Sequence, residues 1–280
     1  MPGAAEVLPA LIASTVAGEI ERYLRTGQTD PYMAAWPGTW GERAQRSRHE
    51  LRTALIREVN RISSGRRSAI PLQDSMALVR CKVRPMVHGL FPPSERDAVL
   101  TVLDHSVVFI TSGNIEQLLL EQRWDRTAWN LANLHLDSLG AELLSPDAER
   151  LDGLSEETTC YVSTAHFERQ EPFADFVVHE VSHIFHNCKR ANVGLSRTRR
   201  GEWLLDIAFH KRETFAYACE AYSRVVERAR DMPGRRWLAE RFEARDHCSD
   251  LRVDLGELTT IVREAARVRN GWRVILKSCG

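Results

Sequence analysis

The sequence predicts an α+β protein, mostly helical with a small sheet and with a helical N-terminal region. Two observations lead there. Apolar residues recur at helical spacing through most of the chain, and only two short runs, 107–111 and 159–164, are β-branched enough to be strands.

The elements follow in order. Residues 8–24 and 44–62 carry apolar positions three and four apart, including Leu51, Leu55, Ile56 and Val59. A stretch rich in Pro, Gly and Trp, 30–41, separates these two helices. Residues 74–84 predict a third helix, capped by Asp74 and stopped by Pro85, which lacks the N–H that a helix interior needs. A loop marked by Gly89 and the Pro92-Pro93 pair leads to Ser94, an expected N-cap for the next helix. The strand at 107–111 ends at Ser112-Gly113, and a helical stretch is expected over 115–144. Residues 145–158 are polar and turn-like. The second strand at 159–164 leads to an apolar helix around residue 180. A basic loop, 189–201, precedes a long helical pattern to about Arg230, which 231–234 terminates. The rest reads as helical up to the short apolar run 274–276. The division expected is a helical region over 1–100 and a second domain over 101–280.

Composition excludes several classes. With 43% hydrophobic and 27% charged residues the chain is ordinary for a globular protein, which argues against disorder. The 38 basic residues balance the 38 acidic ones, which argues against a general nucleic-acid binder. Six cysteines stand far apart without any CxxC pair, as expected of free thiols in a reducing cytoplasm. The N-terminus reads as an amphipathic helix rather than a secretion signal, and no apolar run reaches the ~20 residues of a membrane span. A cytoplasmic protein without membrane contact is the expectation.

The chemistry centres on His179-Glu180-Val181-Ser182-His183, an HExxH sequence flanked by Phe176, Val177, Val178, Ile184 and Phe185. Residues four apart share a helix face, so both imidazoles can reach one metal ion, a Zn2+ first of all. Glu180, on a neighbouring flank, can act on a water without being a ligand. The bland alternative makes both histidines core residues with Glu180 as ion-pair partner. Burying three such groups costs several kcal/mol unless something compensates, and a divalent cation would do so.

HEVSH in this apolar setting resembles the zincin metallopeptidases. The resemblance covers roughly 159–230 and implies a small sheet packed on the motif helix, zinc as cofactor, His179 and His183 as ligands and Glu180 as the catalytic base. It also implies that 101–280 forms a zincin-like catalytic domain. The third histidine of metzincins is absent, since position 189 is Lys. His186 lies off the 179/183 line and is expected to support the site or the core. Gluzincins take a glutamate from the next helix. Glu202, Asp206, Glu213 and Glu220 would form one acidic stripe if 202–228 were a continuous helix. Glu213, followed three residues later by the small Ala216, is preferred as third ligand over Glu202. Asp206 and Glu220 are candidates for orienting the ligands. Tyr217 is either core or a hydrogen-bond donor to the reacting oxygen. Cys188 is too far along the motif helix to complete the pair.

These residues imply hydrolysis of a protein or peptide substrate. The loop 189–200 carries five basic residues and no acid, so it either attracts an acidic partner or is solvated surface. The competing reading is a regulatory or nucleic-acid-associated protein with a structural metal site and this Arg-rich loop as its binding surface.

Overall fold

The computed structural model describes residues 15–66, 75–151, 153–156, 158–164, 171–197, 201–248 and 250–280. The expected Asp74 cap, the first part of the 8–24 helix, Arg199 and Arg200 lie outside these. In chain order the elements are α1 (Val16–Thr26), α2 (Trp40–Ser63), α3 (Ser75–Leu90), α4 (Pro93–Ser106), β1 (Val107–Ile110), α5 (Ile115–Glu121) and α6 (Asp125–Ser138). Then come β2 (Gly153–Glu156), β3 (Thr159–Ser163), α7 (Phe176–Asn187), α8 (Arg212–Arg228), α9 (Met232–Ala239), α10 (Leu255–Ala265) and α11 (Gly271–Cys279). Among the described residues the protein is therefore α+β, mostly helical with one three-stranded sheet. No helix among the described residues is long and apolar enough to cross a membrane. All six cysteines are free.

Two compact units share the chain, one made of 1–67 and 112–151, the other of 68–111 and 152–280. The boundary expected near residue 100 instead falls inside α4, in the second unit.

The first unit packs α1, α2, α5 and α6. Its α2 begins with a capping box between Thr39 and Glu42. Arg52, 1% exposed, donates to the Tyr23 hydroxyl at 2.9 Å and pairs with Asp125 at 2.8 Å. The single helix expected over 115–144 is two, broken at 122–124. There the Gln122 and Asp125 carbonyls turn towards the Arg52 guanidinium, and a buried charge rewards such acceptors more than a continuous ladder does.

In the second unit the strand order is β1-β3-β2, with β1 parallel and β2 antiparallel to β3. Both expected strands form. The edge strand β2 lies in the segment expected to be turn. Pro85 sits inside α3 rather than ending it. An interior proline costs about 3 kcal/mol. Against that, α3 buries Val79, Val83, Met86, Val87 and Leu90, at about 1.5–3 kcal/mol each, so burial wins. At α4 the first helical residue is Pro93 with Pro92 as N-cap, not Ser94. Proline is suited to this first position, where its missing N–H would be unpaired anyway.

The core surrounds α7 and α8. Val177, Val178, Val181, Ile184 and Phe185 of α7 are fully buried, as are Phe215, Ala216, Ala218, Cys219 and Ala221 of α8. Small alanines on α8 let the two helices approach closely. The continuous helix expected from 202 does not form, and α8 begins at Arg212. Residues 203–208 instead pair outwards: Trp203 bridges Lys189, while the Leu204, Leu205 and Ala208 N–H groups donate to the Cys188, Phe185 and Cys279 carbonyls. These tertiary bonds replace the helical ones. The apolar run 274–276 belongs to α11.

Candidate metal centre

Helix α7 starts where Asp175 accepts the Val178 N–H, a cap that fixes the first turn ahead of His179. One turn later comes His183. Across from both, the first turn of α8 presents Glu213. The Nε2 atoms of His179 and His183 lie 3.8 and 3.6 Å from Glu213 Oε2. One donor atom from each residue falls within a group no wider than 4.8 Å. Donors around a tetrahedral zinc with bonds of about 2.0–2.1 Å stand about 3.4 Å apart. The set is therefore of a type and number that could hold a metal ion, and the two spacings to Glu213 are within about 0.4 Å of that ideal. Glu202 is not part of it: 37% exposed, it pairs with Lys189 at 3.3 Å and Arg197 at 3.8 Å. Asp206 is exposed, and Cys188 is buried outside the group.

Each donor is held from behind. His179 Nδ1 is 3.0 Å from Glu220 Oε2, and the other Glu220 oxygen accepts the Asp175 N–H at 2.8 Å. Asp175 in turn pairs with Lys82 at 2.6 Å. His247 also reaches Glu220, Nε2 to Oε2 at 3.5 Å. His183 Nδ1 lies 3.3 Å from His186 Nε2. Glu213 Oε1 is 3.3 Å from Arg252, which Asp250 also grips. Glu180, 7% exposed, points towards β2, where the Ser155 hydroxyl donates to its carboxylate and, at 3.1 Å, to its backbone carbonyl. A Cβ on Gly153 would come within 2.5 Å of Glu180 Oε1, so only glycine lets the carboxylate lie against the strand.

The electrostatics follow from burial and these partners. Burial opposes a charge on His179, but the Glu220 hydrogen bond and charge, with Glu180 and Glu213, raise its imidazole to about 9. Burial would raise Glu220 too, yet hydrogen bonds and charge from His179 and His247 hold it down at about 2. The two shifts agree on an imidazolium–carboxylate pair. Burial first, then the charges of His179, His186, Arg252 and Arg212, push His183 well below its usual range. His186 is driven down to about 3 by burial and by Arg212. Glu180 rises to about 7 through burial, aided by Glu213 and Glu220 and opposed by His179 and Ser155.

No family model, curated protein or solved structure matches this chain.

The geometry brings together His179, His183 and Glu213, with Glu220 behind His179 and His186 behind His183. Tyr217 stacks edge-on against His179, ring centroids 4.6 Å apart, and burial raises its hydroxyl. Sequence reasoning missed Gly153, Ser155, His247, Asp250 and Arg252. The only available signal was weak: a lone polar Gly-Leu-Ser-Glu segment and a His-Cys pair in a loop. The basic loop is largely neutralised within the described residues. Lys189 and Arg197 share Glu202, and Arg190, buried, pairs with Glu95 at 2.6 Å.

Proposed function

We propose that this protein is a zinc-dependent hydrolase, specifically a metallopeptidase acting on a protein or peptide, with a zincin-like catalytic domain. The observation that carries the reading is the convergence of His179 Nε2, His183 Nε2 and Glu213 Oε2 on one another. Three protein donors leave a tetrahedral metal one open position, the arrangement of catalytic rather than structural zinc. Bound there, zinc would polarise a substrate carbonyl and acidify a water.

The chain's own residues do the rest. Glu220 accepts from His179 Nδ1–H and so keeps Nε2 facing Glu213, the nitrogen that would give up its proton to an incoming metal. His186, neutral, accepts from His183 Nδ1–H with the same result. Glu180 would take a proton from the attacking water and pass it to the leaving amine. A carboxyl held at about 7 is matched to that exchange at neutral pH. Ser155 fixes its position.

The test is Glu180→Gln in zinc-loaded protein, assayed on a mixed peptide library by mass spectrometry. The variant should keep its zinc and melting temperature and lose at least ~10²-fold in turnover, the contribution of a general base. Zinc-loaded wild type that cleaves nothing, or a variant of near-normal turnover, would contradict the reading.

A further inference from the structure

The two oxygens of Glu213 face different partners. Oε2 lies 3.8 and 3.6 Å from the Nε2 atoms of His179 and His183, and Oε1 lies 3.3 Å from a terminal nitrogen of Arg252. The Arg252 side chain is 72% exposed. An exposed arginine leaning on a carboxylate ordinarily contributes little, because holding a long side chain in one geometry offsets what the pair gains. Asp250 already fixes this one. Its carboxylate accepts the Arg252 backbone N–H at 2.8 Å and the guanidinium Nε–H at 3.0 Å. It also pairs with the same terminal nitrogen that faces Glu213. The planar fork of an arginine can serve two carboxylates in this way, which the single ammonium of a lysine does less well.

The sign of the charge makes the arrangement informative. A cation beside residues that would hold a dication opposes metal binding by Coulomb repulsion. An arginine is therefore misplaced there unless it acts on the ligand itself. A carboxylate with a loose second oxygen can turn either oxygen, or both, towards a metal. One whose Oε1 is held has Oε2 to offer.

We propose that Arg252, gripped by Asp250, is a positioning residue that fixes Glu213 as a one-oxygen ligand, with Oε2 turned to His179 and His183 and Oε1 withheld. The proposal rests on the metal-centre part of the reading above and is independent of peptide hydrolysis.

Cobalt titration of the chelator-stripped full chain, followed by visible absorption, reads coordination number as well as affinity. Co2+ accepts the same donors as zinc, and its visible band is strong when it is four-coordinate and weak when more donors bind. Wild type should give the strong band. Arg252→Met should bind Co2+ roughly 10–100-fold more weakly, the usual effect of losing an outer partner of a ligand, with a reduced band as the released Oε1 joins Oε2. Asp250→Asn loosens the guanidinium without removing it and should move both readings the same way by less. Arg245, 76% exposed and paired with Glu243 at 3.9 Å, serves as the charge control, and Arg245→Met should leave the band unchanged. Loss of a positive charge alone would tighten the binding of a cation, so the direction of the change decides. A folded Arg252→Met protein with equal or higher affinity, or with an unchanged band, would overturn the proposal. Wild type that takes up neither cobalt nor zinc would overturn it together with the metal-centre reading. The expected pattern in zinc-binding protein that cleaves no peptide would support it and count against the metallopeptidase reading alone.

Discussion

Glu220→Gln tests how His179 is held. Glu220 is fully buried. One oxygen accepts from Asp175 N–H and the other faces His179 Nδ1 and His247 Nε2. Glutamine fills the same space, and its carbonyl can still accept from Asp175. Its NH2 group then faces both histidines, so His179 Nδ1 must become an acceptor and the ring proton moves to Nε2. That is the atom facing Glu213, and in that tautomer it cannot bind a metal. Loss of such an outer partner typically weakens metal binding 10–100-fold, about 1.4–2.7 kcal/mol. A second effect has the opposite sign. With His179 held at about 9, its proton competes with the metal at pH 7, a penalty of up to roughly 100-fold that the variant escapes. The two effects nearly cancel at neutral pH, so the assay belongs at pH 9. In chelator-buffered zinc titrations, wild-type affinity should climb by about tenfold per pH unit between 7 and 9, as expected when one proton is displaced. The variant's affinity should be nearly flat and, at pH 9, 10–100-fold weaker. Equal affinities at pH 9 with parallel pH profiles would refute the role given to Glu220.

Two further perturbations probe other parts of the molecule. Glu213→Ala should lose zinc while Glu202→Ala keeps it, because Glu202 is engaged with Lys189 and Arg197; retention by Glu213→Ala under chelator challenge would remove Glu213 from the ligand set. His135, 2% exposed and with no partner for Nδ1 among the described residues, is held at about 4 by burial. Since its folded value lies below the unfolded 6.5, the unfolded chain binds more protons in that window, and stability falls as pH drops from 6.5 towards 4. The contribution approaches ~3 kcal/mol, so denaturant unfolding of His135→Leu should be less sensitive to pH over this range than wild type; identical pH dependence would exclude the effect.

How much of this was legible in the sequence depends on the range of the interactions. The motif helix and both β-branched strands were readable because their signals are local: a 3.6-residue apolar period with His179 and His183 one turn apart, and short runs such as Val107–Ile110. Glu213 could be preferred over Glu202 because its neighbours are apolar and Ala216 permits close packing. The start of α8 could not be read, since 203–208 is diverted by hydrogen bonds to Cys188, Phe185 and Cys279, far away in the chain. The edge strand β2 has four residues and no apolar alternation, and only its pairing with β3 makes it a strand. Pro85 misled because helix stop rules price the proline and not the buried face of α3. Ser155, His247 and Arg252 reach the site from loops or strands that no spacing connects to HExxH.

The central claim is that His179, His183 and Glu213 form a zinc site. Its most direct test is the metal content of the protein purified without added metal, followed by zinc titration of chelator-stripped wild type and the His179→Ala/His183→Ala double variant. The account predicts about one zinc per wild-type chain, with none retained by the double variant, as expected when two of three ligands are lost. Wild-type protein that carries no metal and takes up no zinc on titration, or a double variant that binds it equally well, would contradict the account.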